Sequence, residues 1–206
     1  MKKILSLLLM ITLCVLLVSC GKQNESGNNK TIKDSSLDEE KDKEETQNIS
    51  NVLVVYFSAT GNTKAIAESI ADEMQADIYE IIPEKPYTDA DLDYNDKNSR
   101  STLEMNDSSA RPEISGTVDN FEQYDTVFLG YPIWWGEAPR ILDTFVEKYD
   151  FKDKTVIPFC TSASSSIDSS AATLEKLAGS GNWMEGQRFS GNESQDKVKE
   201  WTKQFE

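Results

Sequence analysis

The chain has 206 residues, with 21 Lys and Arg against 36 Asp and Glu, no histidine and a formal charge of -15. That length supports one good core and is short for two. The charge argues against nucleic acid, whose phosphates are held by Lys and Arg, and against electrostatic attraction to an anionic membrane surface.

Lys2 and Lys3 precede an apolar run over 4–18, too short to span a bilayer comfortably and read instead as a secretory signal. The run closes on Leu17, Val18, Ser19 and Cys20, followed by Gly21. This resembles the lipobox of bacterial lipoproteins, which implies cleavage ahead of Cys20 and a diacylglycerol thioether on its sulfur. An exported protein, lipid-anchored to the bacterial cell membrane outside the cytoplasm, follows from that resemblance. An ordinary secretory signal with an accidental Cys is the alternative, and retention of mature protein on membranes separates the two. With Cys14 removed and Cys20 lipidated, Cys160 has no partner for an internal disulfide. At the end of an apolar run it reads as a small buried hydrophobe. Residues 21–50 hold five basic and eight acidic residues and almost no large apolar ones. They cannot bury enough surface to offset their ordering entropy, so they read as a disordered tether. The expected organisation is a signal over 1–19, a tether over 20–50 and one domain over 51–206. The domain itself is acidic, with 14 basic against 28 acidic residues.

Within the domain, 51–57 (NVLVVYF) reads as a strand buried on both faces, and Ala65, Ile66, Ile70 and Met74 recur at helical intervals. A second strand is expected over 76–82. The polar stretch 83–117 follows, with a short helix around Leu103. Buried runs at 125–131 and 154–160 give two further strands. A helix opening at Pro139 carries Ile141, Leu142, Phe145 and Val146 on one stripe. Ala171, Leu174, Leu177 and Ala178 mark another helix, 183–189 a fifth strand, and Val198, Trp201 and Phe205 a last helix. Continuous apolar strands alternating with helices imply an α/β fold, with parallel pairing and helices on both faces. Ligands on such sheets bind beyond the carboxyl ends of the strands. Three loops therefore matter, those following Phe57, Gly130 and Phe159.

The first loop holds Ser58, Ala59, Thr60, Gly61, Asn62 and Thr63 between a strand and a helix. Helix N-termini carry unpaired N–H groups that suit a phosphate. Gly61 allows close backbone approach, and the hydroxyls of Ser58, Thr60 and Thr63 can add donors. A triphosphate loop needs Lys before its Ser or Thr, whereas Lys64 follows Thr63; a dinucleotide fingerprint needs three glycines, and only Gly61 is present. One terminal phosphate remains as the fitting ligand. The alternative is a plain strand-to-helix turn capped by Asn62 or Ser58.

This loop resembles the phosphate loop of flavodoxins, and 128–139 (FLGYPIWWGEAP) is similar to the second flavin loop of a bacterial flavodoxin-like family. Residues 81–88 (IIPEKPYT) and 154–160 (KTVIPFC) match that family too, so the resemblance covers essentially the whole domain. It implies a doubly wound sheet of five parallel strands in the order 2-1-3-4-5, binding FMN noncovalently. In the second loop, Tyr131, Trp134 and Trp135 offer aromatic faces for an isoalloxazine ring. A bent chain through Pro132, Ile133 and Gly136 can offer backbone donors. Trp134 and Trp135 are equal candidates for the stacking face, and a purely structural corner is the alternative. The third loop, with Thr161, Ser162 and Ser165, departs from its relatives: it lacks their glycines and has no aromatic to cover the ring. It could bond the ring edge or be a plain surface loop.

The expected role is FMN-mediated electron transfer at the membrane, with a redox protein or a quinone-like acceptor as partner and the protein setting the flavin's orientation and potential. Dense carboxylates, with no cation in the three loops, disfavour an anionic reduced flavin. Two alternatives stand beside it. One is an FMN-dependent reductase passing hydride from a nicotinamide to a quinone, favoured by the open third loop. The other is a flavodoxin-shaped module that has lost FMN and binds a protein.

Overall fold

The computed structural model describes residues 51–206; the expected signal, Cys20 and the expected tether lie outside the described residues. Strand β1 (Val52–Tyr56) is buried along its whole length. Because strand side chains alternate between faces, Leu53 and Val55 enter one core while Val52, Val54 and Tyr56 enter another on the opposite face. Helix α1 (Asn62–Met74) lays Ile66, Ala67 and Ile70 on the second of these. The expected second strand is shorter than its apolar pattern. Strand β2 (Asp77–Glu80) ends where the Ile81 N–H donates to the Tyr56 carbonyl at 2.7 Å.

The polar stretch is an excursion closed at its base by a two-residue antiparallel ribbon, β3 (Ile82–Pro83) with β4 (Ile114–Ser115). It contains the expected short helix, α2 (Arg100–Asn106), whose Ser99 cap accepts the Thr102 N–H. Strand β5 (Thr126–Pro132), helix α3 (Arg140–Lys148), strand β6 (Thr155–Thr161) and helix α4 (Asp168–Ala178) follow. Helices α3 and α4 place Ile141, Leu142, Phe145, Val146 and Leu174 on the first core. The final helix, α5 (Gln195–Thr202), joins α1 on the other face through Val198.

The expected fifth strand is two pieces, β7 (Asn182–Trp183) and β8 (Gln187–Phe189), both parallel to β6. The break falls opposite Pro158, which has no N–H to donate to a neighbour. Gly186 lies so near Pro158 that a Cβ there would stand 3.0 Å from its carbonyl oxygen and 2.8 Å from Ile167 Cδ1. The parallel sheet runs β2-β1-β5-β6 with β7 and β8 on the outer side of β6; with the β3–β4 ribbon set aside and the two pieces counted as one strand, this is the expected order 2-1-3-4-5, with helices on both faces. Among the described residues no helix is long and apolar enough to cross a membrane.

Candidate functional site

Parallel strands end together, so β1, β5 and β6 release their chains at one edge of the sheet. A cavity of about 400 Å³ opens there. Ser58, Ala59, Thr60 and Thr63 line it from the first loop, and Pro132, Ile133, Trp134 and Trp135 from the second. Leu92, Tyr94 and Ser101 of the excursion complete the wall.

In the first loop the chain reverses through Gly61, at φ +87°, whose N–H donates to Ser58 Oγ at 3.1 Å. Helix α1 starts directly after it, and among the described residues no side chain caps it. Ser58 closes the turn only onto the Gly61 N–H, and the first-turn N–H groups of the helix keep their donor capacity. The Asn62 amide turns to Thr60 Oγ1 at 3.4 Å and does not line the cavity. Thr63 is buried, its Oγ1 2.8 Å from Thr161 Oγ1. The exposed hydroxyl of Thr60, that of Ser58 and the uncapped helix start remain to meet an anion.

In the second loop, Trp134 and Glu137 exchange two backbone hydrogen bonds, at 2.9 and 3.0 Å, around Trp135 and Gly136. Both central residues are left-handed, at φ +49° and +86°. Gly136 suits that geometry, but an indole-bearing residue there stores strain of about 1–3 kcal/mol. The structure also separates the two tryptophans. Trp134 stands edge-on to Phe57 at 5.6 Å and Tyr87 at 5.4 Å, packed against the core. Trp135 is 49% exposed on the cavity wall, which makes it the free aromatic face.

Two expectations are corrected by how far the strands run. Strand β5 continues through Tyr131 to Pro132, pairing Tyr131 with Cys160. Tyr131 is therefore fully buried in the core, its hydroxyl 3.1 Å from Ser170 Oγ, and does not reach the cavity. Strand β6 likewise includes Thr161. Beyond it, Ser162 Oγ accepts the N–H groups of Ser164 and Ser165, at 3.3 and 2.9 Å, in a turn closed on itself. Thr161, Ser162 and Ser165 line no part of the cavity. A cation also reaches the third loop from outside it: Arg188 of β8 donates to the Ser162 carbonyl at 2.9 Å.

Sequence reading missed Leu92, Tyr94 and Ser101. The available signal was topological, since a chain leaving the carboxyl end of β2 must pass the ligand edge. The donor set fits FMN: an uncapped helix start with hydroxyls for the phosphate, and a half-exposed indole for the ring.

Comparison with known proteins agrees. The flavodoxin family profile matches residues 51–205. A candidate flavoprotein from Bacteroides eggerthii is 47% identical, covering 74% of this chain and 96% of its own, with a TM-score of 0.69. Another, from Bacteroides uniformis, is 46% identical over 74% of this chain and 97% of its own, with a TM-score of 0.71. A Lactobacillus acidophilus flavoprotein in complex with FMN shares the fold at 22% identity and a TM-score of 0.58, over 74% of this chain and 99% of its own. Among curated proteins, none matches. From strand order, cavity and sequence profile together, the chain belongs to the flavodoxin family.

Proposed function

We propose that the chain is an FMN-binding electron carrier, exported and held at the outer face of the membrane by a lipid on Cys20, serving a redox protein or a quinone-like acceptor. Binding of FMN follows from membership of the flavodoxin family. One observation carries the carrier role: the cavity is lined by hydroxyls, aliphatic groups and aromatics, with no carboxylate, ammonium, guanidinium or thiol among its lining residues. Such a wall can bind and orient a cofactor, but it brings no charged acid or base to a substrate.

Bound FMN supplies electron transfer at its isoalloxazine ring. The residues that would hold it are Ser58, Thr60 and the start of α1 for the phosphate, and Trp135 for the ring. The Trp134–Glu137 hairpin leaves the N–H groups of Trp135 and Gly136 without backbone partners among the described residues, so both are donors for a polar ring edge. The anchoring half of the proposal rests on the lipobox-like residues 17–20 alone.

Full-length protein extracted from membranes with detergent should be yellow and carry one FMN. After photoreduction it should pass electrons to a quinone, while a nicotinamide reduces it slowly in stopped flow. Rapid reduction by nicotinamide would replace the carrier with a reductase, and colourless protein that takes up no FMN would leave a protein-binding module. Cys20→Ala should leave the precursor unprocessed or release protein from the membrane fraction. Mature, unlipidated protein in parental cells would overturn the anchor.

A further inference from the structure

The third loop offers no aromatic and closes the Ser162 hydroxyl into its own turn, yet the cavity has a third wall, made by the excursion. On that wall Ser101 is 1% exposed, and its Oγ has no hydrogen-bond partner among the described residues. Buried hydroxyls are nearly always paired. One left without a partner on the wall of a ligand cavity points to a partner brought by the ligand.

The wall is held in place from both sides. The Ser101 N–H donates to the Asp91 carbonyl at 2.9 Å, and the Asp91 carboxylate accepts the N–H and the hydroxyl of Thr88, each at 2.8 Å. Arg100 lies 4.1 Å over the Tyr87 ring and pairs with Glu104 at 2.6 Å; Tyr87 in turn meets Trp134 edge-on. Ser101 is thereby fixed relative to the second loop. Tyr94, at the rim, is 74% exposed and makes none of these anchoring contacts.

We propose that this wall is a second clamp of the flavin site: Ser101 hydrogen-bonds the uncharged riboflavin part of the cofactor, and Tyr94 supplies the aromatic cover that the third loop lacks. The proposal rests on the flavin reading and adds residues to it that neither flavin loop contains. It also requires a trade. A hydroxyl that finds its partner only in the ligand weakens the flavin-free fold and strengthens the complex.

The test titrates full-length protein with FMN and with riboflavin, following the quenching of flavin fluorescence. Ser101→Ala should weaken both ligands by the same factor, about ten-fold, and should raise the melting temperature of the flavin-free protein. Tyr94→Ala should weaken both by a similar factor, and Tyr94→Phe should restore them. Thr60→Val, in the phosphate loop, should weaken FMN alone. Parental riboflavin affinity in Ser101→Ala and Tyr94→Ala, with Thr60→Val still weakening FMN, overturns the clamp and leaves the flavin site standing. A lower melting temperature with unchanged affinity in Ser101→Ala gives that hydroxyl a structural role and overturns the proposal. A parent that binds neither flavin overturns both readings together.

Discussion

Thr63 and Thr161 face each other with their hydroxyl oxygens 2.8 Å apart and both side chains buried. The pair bonds the first turn of α1 to the last residue of β6. A hydroxyl that sequence reading offers to a phosphate thus ties two elements together, and the position of the phosphate loop depends on the end of a strand far away in sequence.

Breaking that tie from one side should cost more than removing it. Thr63→Val alone leaves the Thr161 hydroxyl buried and unpaired, at about 1–3 kcal/mol, and Thr161→Val does the reverse. Replacing both removes the orphan, so the double variant should be more stable than the sum of the singles. Urea unfolding of all four proteins measures this. Single costs that simply add would show that the two hydroxyls do not interact.

With Thr63 engaged, Ser58, Thr60 and the uncapped start of α1 remain as the proposed phosphate contacts. Thr60→Val should weaken FMN by about 1.5–3 kcal/mol, the worth of a hydrogen bond to a charged group. Riboflavin, which has no phosphate, should bind parent and variant alike. A variant that keeps parental FMN affinity takes Thr60 out of the site.

Trp135 combines an unfavourable backbone with a useful side chain. The turn it shares with Gly136 has two left-handed positions between bonded neighbours, a geometry that favours Asn-Gly. Trp135→Asn should therefore melt higher than the parent, by about 1 kcal/mol in stability. It should lose at least about 1 kcal/mol of flavin affinity with the stacking face. Melting curves without flavin, beside flavin titrations, separate the two effects. A less stable variant would mean that the indole holds the turn together.

How much was legible followed from how local each signal is. The hydroxyl loop lies between an apolar run and a helical pattern in one continuous stretch, so its place at a strand end could be read directly. Tyr131 could not be placed that way, because it stands at the end of an expected buried run and at the start of an expected ligand loop, and only its pairing with Cys160 puts it in the core. Trp134 and Trp135 were equivalent until Phe57 and Tyr87 were seen against one of them. Ser101 depends on contacts across the excursion, and Arg188 reaches the third loop from a different strand. Neither relation leaves a mark in a linear pattern.

Burial pushes the Cys160 thiol up from 9.0 to about 12; Arg188 opposes the shift and Asp168 adds to it. Between those values the folded chain keeps a proton that the unfolded chain has released, so stability falls as pH rises, by up to about 1.4 kcal/mol per pH unit. Below the lower value this contribution is fully present. Cys160→Ala should carry a constant packing cost but a shallower alkaline loss, seen in urea midpoints from about pH 8 to about pH 11. The other buried tyrosines titrate in both proteins and cancel in the difference; Tyr131, pushed up mainly by burial with Cys160 adding to the shift, keeps its proton in both folded chains across this window. Parallel curves would mean that the thiol ionises as readily folded as unfolded.

The proline gap along β6 also bears on what happens when many copies meet. A long unpaired edge offers a row of donors and acceptors on which a neighbouring chain can extend the sheet. Here one margin consists of pieces of two and three residues, separated where Pro158 has nothing to donate. The other margin, β2, is four residues long and carries a carboxylate at each end, Asp77 and Glu80. Glu80 is paired with Lys64 at 3.2 Å and Asp77 accepts from the Tyr124 hydroxyl, so a second copy aligning there would meet polar side chains already engaged at both ends of the strand. Copies crowded side by side are therefore hindered from zipping together through their sheet margins.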